Sequence, residues 1–424
     1  MSPPRSVAVV GAGLAAVSAC DALRAQGYDG ELVLYSAERG LPYDRPPLSK
    51  DVLLGEARRD DVLLRPERWY EEQRVDLRDG TPVRAIRPHE GGVERADGVV
   101  AGADRVVLAT GGTPRTLPVP GGDDPAVHVL RTWQDAERLR ERLLPRSRVT
   151  VVGAGLIGAE TAAVAVALGC RVTLVDPVPV PLAAVVGDEI AGVLHRRHTA
   201  EGIEVITAGV ERVEHRPGAT EVLVHLAGDG VGDGRVVAAD TVVAGIGIRP
   251  VTGLAEAAGL RVDNGVVVHP GQRTSHPNVF AVGDVARLDG HRVRHEHWDA
   301  AQLGGAAAAH GILGRPLPPA GATWFWSDRH GCRLEAVGTM ADAERTVLRG
   351  APDSGAFTVL GLSGDRLVAA AAVDRARDIK AARRIIDRDV PVDPALLADE
   401  GTDLRTVLKR SDTAPDAARG RTHR

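Results

Sequence analysis

Two segments of this chain carry the same pattern, and that repeat limits the available folds more than any other feature. The first reads SVAVVGAGLAA over residues 6–16 and the second RVTVVGAGLIG over residues 148–158. Each is an apolar run, a glycine turn and a stretch of helical character, followed by a second apolar run, ELVLY at 31–35 and RVTLVD at 171–176. Continuous apolar runs joined through a helix read as strands of a parallel sheet buried on both faces. A strand ending in glycine follows each unit, DRVVLATG at 104–111 and DTVVAGIG at 240–247, and NVFAVGD follows at 278–284. This order predicts one dinucleotide-binding domain inserted in another. The outer domain takes 1–115 and 251–318, and the inserted domain takes 116–250.

The rest differs in texture. It opens on TWFWSD at 323–328 and continues as short alternating strands (334–338, 357–362 and 367–373), with a helix near 378–386. This predicts a small α+β domain over 319–410, and the Asp-, Arg-, Ala- and Thr-rich segment 411–424 reads as a disordered tail. The expected fold is therefore α/β, two domains built on βαβ units plus a small C-terminal domain. At roughly 150 residues per domain, 424 residues accommodate this.

Composition excludes several other classes. The formal charge of −5 gives no global basic field for nucleic acid. The three cysteines, Cys20, Cys170 and Cys332, are far apart, so no CxxC zinc or dithiol motif exists. No apolar run reaches the roughly 18 residues of a membrane helix. Residues 1–6 are short and polar, and a strand follows at once, so a cytoplasmic protein is expected.

The glycine motifs carry the binding chemistry. Gly11, Gly13 and Ala16 form GxGxxA, and Gly153, Gly155 and Gly158 form GxGxxG. The first position allows the tight turn and the second lets a pyrophosphate approach the backbone. The third lets helix pack on strand, and the helix N-terminus faces the phosphates. Asp176 ends the second strand of the second unit, where a carboxylate accepts from ribose hydroxyls and repels a 2′-phosphate. No basic residue occurs from 177 to 194, which favours NADH over NADPH. In the first unit the acid comes slightly late, at Glu38. Two dinucleotide sites point to FAD and a nicotinamide dinucleotide as a hydride-transferring pair.

The segment LPYDRPPLSK at 41–50 resembles a signature of the FAD-dependent NAD(P)H:ferredoxin reductases of bacterial oxygenase and cytochrome P450 systems. The resemblance continues through 109–111, 130–132, 274–284, 296–298 and 325–328, and reaches about Leu408. It implies an α/β fold, a glutathione-reductase-like pair of dinucleotide-binding (Rossmann-type) domains plus a small α+β C-terminal domain. It implies that Ala15 lies against the FAD pyrophosphate, that Lys50 sits beside the flavin, and that Arg45 and Arg131 contact the cofactor. It also implies that Val83 holds the adenine through its backbone, that Asp284 binds the ribityl chain, and that Trp298 stacks near the flavin. Glu160 would stand beside the nicotinamide, and Ile157 and Gly247 would complete the NADH set. Lys50, Glu160 and Trp298 are the implied catalytic residues. The chain departs from the pattern at Ala37, leaving Glu38 to bind the FAD ribose, at Ala184, and at Arg329–His330.

No cysteine stands in the 41–50 loop, and no CxxxxC pair follows the first glycine motif. Reduced flavin then has no thiol relay and gives its electrons to an external acceptor. The resemblance implies a [2Fe–2S] ferredoxin on a separate chain, because no iron–sulfur motif occurs here. Six arginines between 287 and 333 (287, 292, 294, 315, 329 and 333) suggest a local basic face for it. A small acceptor such as quinone or oxygen, and an NADH-sensing flavoprotein, remain open on the residues alone.

Overall fold

The computed structural model describes residues 4–216, 218–228 and 234–411. The expected tail, 411–424, lies outside these apart from its first residue. The chain forms two compact units, one of residues up to Pro177 with Ile203–Pro319, the other of Val178–Gly202 with the chain from Ala320.

The first unit holds two parallel sheets of the same design. One runs Val279–Ala281, Arg105–Leu108, Ser6–Val10, Glu31–Tyr35, Asp76–Arg78. The other runs Glu204–Thr207, Arg171–Asp176, Arg148–Val152, Thr241–Ala244, Val127–His128. In each, the strand before the glycine turn is central, so both its faces must be apolar. Val9 and Val151 are fully buried, as are Leu34 and Leu174 on the neighbouring strands. Helices Leu14–Ala25 and Leu156–Ala167 follow the turns. Cys20 and Leu23 of the first helix are fully buried, and Cys20 contributes to packing, as its position one turn into the helix predicts.

Helix Leu14–Ala25 packs closely on Trp298–Leu313. A side-chain carbon at Gly305 would lie 2.7 Å from the Ala19 amide nitrogen, so glycine is what permits that approach.

The second unit contains a five-stranded antiparallel sheet ordered Trp324–Arg329, Cys332–Gly338, Arg366–Val373, Phe357–Ser363, Arg345–Arg349. Helix Ala376–Arg388 presents Ile379, Ala382 and Ile385 to it, and their 3-residue spacing gives one apolar face. Helix Asp188–Ala200 also belongs to this unit. It carries buried His198, whose Nδ1 is 2.9 Å from His330 Nε2.

Candidate active site

The two glycine turns are built to receive a dinucleotide each. Gly11 has φ +104°, and a Cβ there would lie 2.2 Å from the Ala109 carbonyl oxygen. Only glycine fits the turn. Gly13 and Gly155 are the N-caps of their helices. No side chain caps either helix, and no acid stands in either first turn. Nothing lies within 4 Å of where their Cβ atoms would be. Each turn is thus an open cradle with unsatisfied N–H groups and the positive end of a helix dipole. At Gly158 a Cβ would lie 1.9 Å from the Gly153 carbonyl oxygen, which fixes how closely that helix packs on its strand. Fully buried Ala16 holds the corresponding place after the first glycine turn. Both cradles fit a pyrophosphate.

Beside the first cradle the backbone brings the predicted FAD residues together. Gly283, with φ +72°, would put a Cβ 2.7 Å from the Ala15 Cβ, so the turn carrying Asp284 presses on the first turn of the glycine helix. Asp284 Oδ2 accepts from Arg131 Nη2 at 2.8 Å, and the Arg131 carbonyl accepts from Arg45 Nη1 at 2.6 Å. Arg45 Nη2 donates to Glu38 Oε1 at 3.2 Å, and Tyr43 Oη donates to Glu38 Oε2 at 2.6 Å. Burial and the Glu38 contact push the Tyr43 phenol up to about 12, so it remains a donor at neutral pH. Asp284, Arg131, Arg45 and Glu38 therefore form one continuous chain. The Nε of Arg131 is buried with no hydrogen-bond partner, a donor available to a bound group. Val83 lies on a separate antiparallel sheet and packs into the cluster that holds Tyr35, at the end of the second strand.

Lys50 joins this region to the helix after the second glycine turn. Pro46 and Pro47 open a 3₁₀ turn through Ser49, and helix Asp51–Leu54 follows, so Lys50 sits at the junction of the two. Its Nζ lies 2.6 Å from Oε2 of Glu160, and the Ser49 hydroxyl donates to the same oxygen at 2.5 Å. Glu160 is 3% exposed. A buried carboxylate needs such partners to remain charged. Trp298, the first residue of its helix, donates through Nε1 to both carboxylate oxygens of Asp44, each at 3.1 Å. Ser49, Tyr43 and Asp44 were not singled out as functional from sequence, although all three lie inside the 41–50 segment.

On the nicotinamide-nucleotide side, Asp176 Oδ2 accepts from the Ala154 N–H at 2.7 Å, so the acid ending the second strand faces the glycine turn. Ile157 is 40% exposed in the first turn of the helix, an apolar surface next to Gly158. Gly247 is open on its side-chain face, and its carbonyl accepts from the Arg115 N–H at 3.0 Å.

The structure corrects the expected basic face. Of its six arginines, Arg287 and Arg329 are buried, and the Arg294 side chain is 5% exposed. Arg287 bonds to the Asp263 side chain and to two backbone carbonyls, and Arg294 bonds to Asn264 and Glu296. A guanidinium buried and engaged in this way no longer contributes an exposed charge.

All three cysteines are buried and unpaired by disulfide. Burial pushes the Cys20 thiol up to about 12. Among the described residues no group of His, Cys, Asp or Glu could hold a metal ion, and no helix is long and apolar enough to cross a membrane.

The pyridine nucleotide-disulphide oxidoreductase family model matches residues 5–305, and the reductase C-terminal family model matches 324–408. The chain is 42% identical over 406 residues to the anthranilate 1,2-dioxygenase system ferredoxin–NAD(+) reductase component of Burkholderia cepacia, covering 94% of this chain and 98% of the relative. It is 36% identical to rhodocoxin reductase of Rhodococcus erythropolis, covering 97% and 96%. Among solved structures, a chain of the covalent putidaredoxin reductase–putidaredoxin complex superimposes with a TM-score of 0.90 at 35% identity, covering 96% of this chain and 99% of that one. With the two dinucleotide cradles, the 41–50 loop and both family matches in place, this chain belongs to the pyridine nucleotide-disulphide oxidoreductase family, among its ferredoxin reductases of oxygenase and cytochrome P450 systems.

Proposed function

We propose that this chain is an FAD-dependent NADH:ferredoxin oxidoreductase. It takes two electrons from NADH and passes them singly to a [2Fe–2S] ferredoxin on a separate chain, which supplies a Rieske oxygenase or a cytochrome P450. The observation that carries this reading is the 2.6 Å contact between Lys50 and Glu160, which joins the loop of one dinucleotide unit to the glycine helix of the other. Bound FAD supplies the exchange between two-electron and one-electron chemistry.

The chain's own residues divide the remaining work. Residues 1–115 and 251–318 bind FAD, 116–250 bind NADH, and 319–410 form the reductase C-terminal domain. Gly11, Gly13, Ala15 and Ala16 form the flavin-nucleotide cradle, which Arg45, Arg131 and Asp284 flank. Val83 meets the adenine through its backbone. Glu38 takes the ribose. Both its oxygens already accept one bond each, and a carboxylate oxygen has capacity for a second. Gly153, Gly155, Ile157, Gly158, Asp176 and Gly247 hold NADH.

Lys50 presents an ammonium to the negative charge that develops on reduction, and Glu160 and Ser49 fix where that ammonium stands. Trp298 covers the flavin edge of the site. With every described cysteine buried, the acceptor is external, and the cytoplasm is where such a chain would meet it.

The test is cytochrome c reduction by NADH with and without added [2Fe–2S] ferredoxin. A large ferredoxin-dependent rise is expected. NADH oxidation that several ferredoxins leave unchanged would overturn the reading in favour of a small acceptor or an NADH sensor.

A further inference from the structure

We propose that Asp44 is a positioning residue for the reaction, fixing the plane of the Trp298 indole through its two carboxylate oxygens. The inference rests on the reading that Trp298 lies against the flavin. Asp44 is itself rigidly mounted. Its N–H donates to the Val62 carbonyl at 2.8 Å, and the Leu64 N–H donates to the Pro42 carbonyl at 3.0 Å, so a short antiparallel bridge holds the backbone on both sides. Its Oδ1 also accepts from the Arg45 N–H at 3.1 Å. The indole N–H is shared between Oδ1 and Oδ2 at 3.1 Å each.

A charge-assisted bond donated by an indole N–H to a fixed carboxylate restricts rotation of the ring. The two residues are 254 positions apart. One lies six residues before Lys50 and the other opens a 16-residue helix, so their bond ties ring orientation to the loop that carries Lys50. Burial raises the Asp44 carboxyl, while Trp298, the Arg45 N–H and Lys50 favour its ionised form.

The experiment compares Asp44→Ala, Asp44→Asn, Trp298→Phe and the double variant Asp44→Ala/Trp298→Phe, all as FAD-loaded full-length protein. Flavin bleaching by NADH is followed anaerobically in a stopped-flow instrument, alongside the flavin absorbance spectrum and the thermal midpoint. Loss of the positioning is expected to slow bleaching by about tenfold in both Asp44→Ala and Trp298→Phe. The two should shift the flavin spectrum alike, with the midpoint held. Asp44→Asn keeps an acceptor and should stay within about twofold of the parent, and the double variant should be no slower than the slower single one. If Trp298→Phe changes the spectrum and rate while Asp44→Ala does not, the inference fails and the placement of Trp298 stands. Additive losses in the double variant also overturn it. If Trp298→Phe is silent in both readouts, the placement of Trp298 fails and the inference with it.

Discussion

The Lys50 ammonium lies 2.6 Å from Glu160 Oε2, and the two residues come from different dinucleotide units. The side chains are 15% and 4% exposed, so the pair is shielded from the solvent screening that weakens surface ion pairs. Removing one partner leaves a buried, uncompensated charge. Glu160→Ala and Lys50→Met are each expected to slow flavin reduction by NADH by about 10²-fold. FAD should remain bound, because the Arg45–Arg131–Asp284 chain does not pass through either residue. Stopped-flow bleaching and the FAD-to-protein ratio check both parts.

Gly158→Ala should separate the two nucleotide sites. The new methyl would meet the Gly153 carbonyl oxygen at 1.9 Å, so the helix must move away from its strand. NADH binding should weaken by about tenfold or more while FAD is retained, since a displacement near 1 Å costs that much in positioning. The KM for NADH reads this directly. Unchanged KM would mean that the second cradle does not hold the nicotinamide nucleotide.

The cysteines should be chemically silent. Cys20, Cys170 and Cys332 are all buried, and the Cys20 thiol is pushed up to about 12. A thiol that does not ionise is a poor nucleophile. Treatment of the folded protein with iodoacetamide should leave NADH-dependent electron transfer unchanged, and so should Cys332→Ser. A loss of activity in step with alkylation would contradict transfer without a thiol relay.

Much of this was legible in the residues. The central strands read as apolar runs because both their faces are covered, and the glycine turns read from their spacing. Expected strand 357–362 and helix 378–386 appear as Phe357–Ser363 and Ala376–Arg388, the strand longer at its C-terminal end and the helix at both ends, where capping and pairing decide the boundary. Long-range contacts were not legible. Lys50 and Glu160 are 110 residues apart, and no local pattern encodes their meeting. Only the family resemblance implied a place for each in the site. Arg287 and Arg294 read as surface charge, yet both are largely buried because backbone carbonyls and acids occupy their donors. Helix Asp188–Ala200 shows an apolar face, but nothing in that face says which neighbour covers it.

Acid should loosen the second unit through His198. Burial, then Arg329, His330 and His195, lower its pKa from the ordinary 6.5 to about 3. The unfolded chain therefore takes up the proton first as pH falls. This contribution to stability is complete above about pH 6.5 and is lost progressively toward pH 3. Thermal midpoints at pH 7 and pH 5 should fall further for the parent than for His198→Gln, which cannot titrate. Equal losses in the two proteins would show that His198 does not govern this window.

The most direct test of the account is the stoichiometry of electron transfer. The purified, FAD-loaded protein is mixed anaerobically with limiting NADH and excess oxidised [2Fe–2S] ferredoxin, and reduced ferredoxin is counted from its absorbance. A two-electron donor and a one-electron acceptor predict about two ferredoxins reduced per NADH. NADH consumed with no ferredoxin reduced would contradict the account.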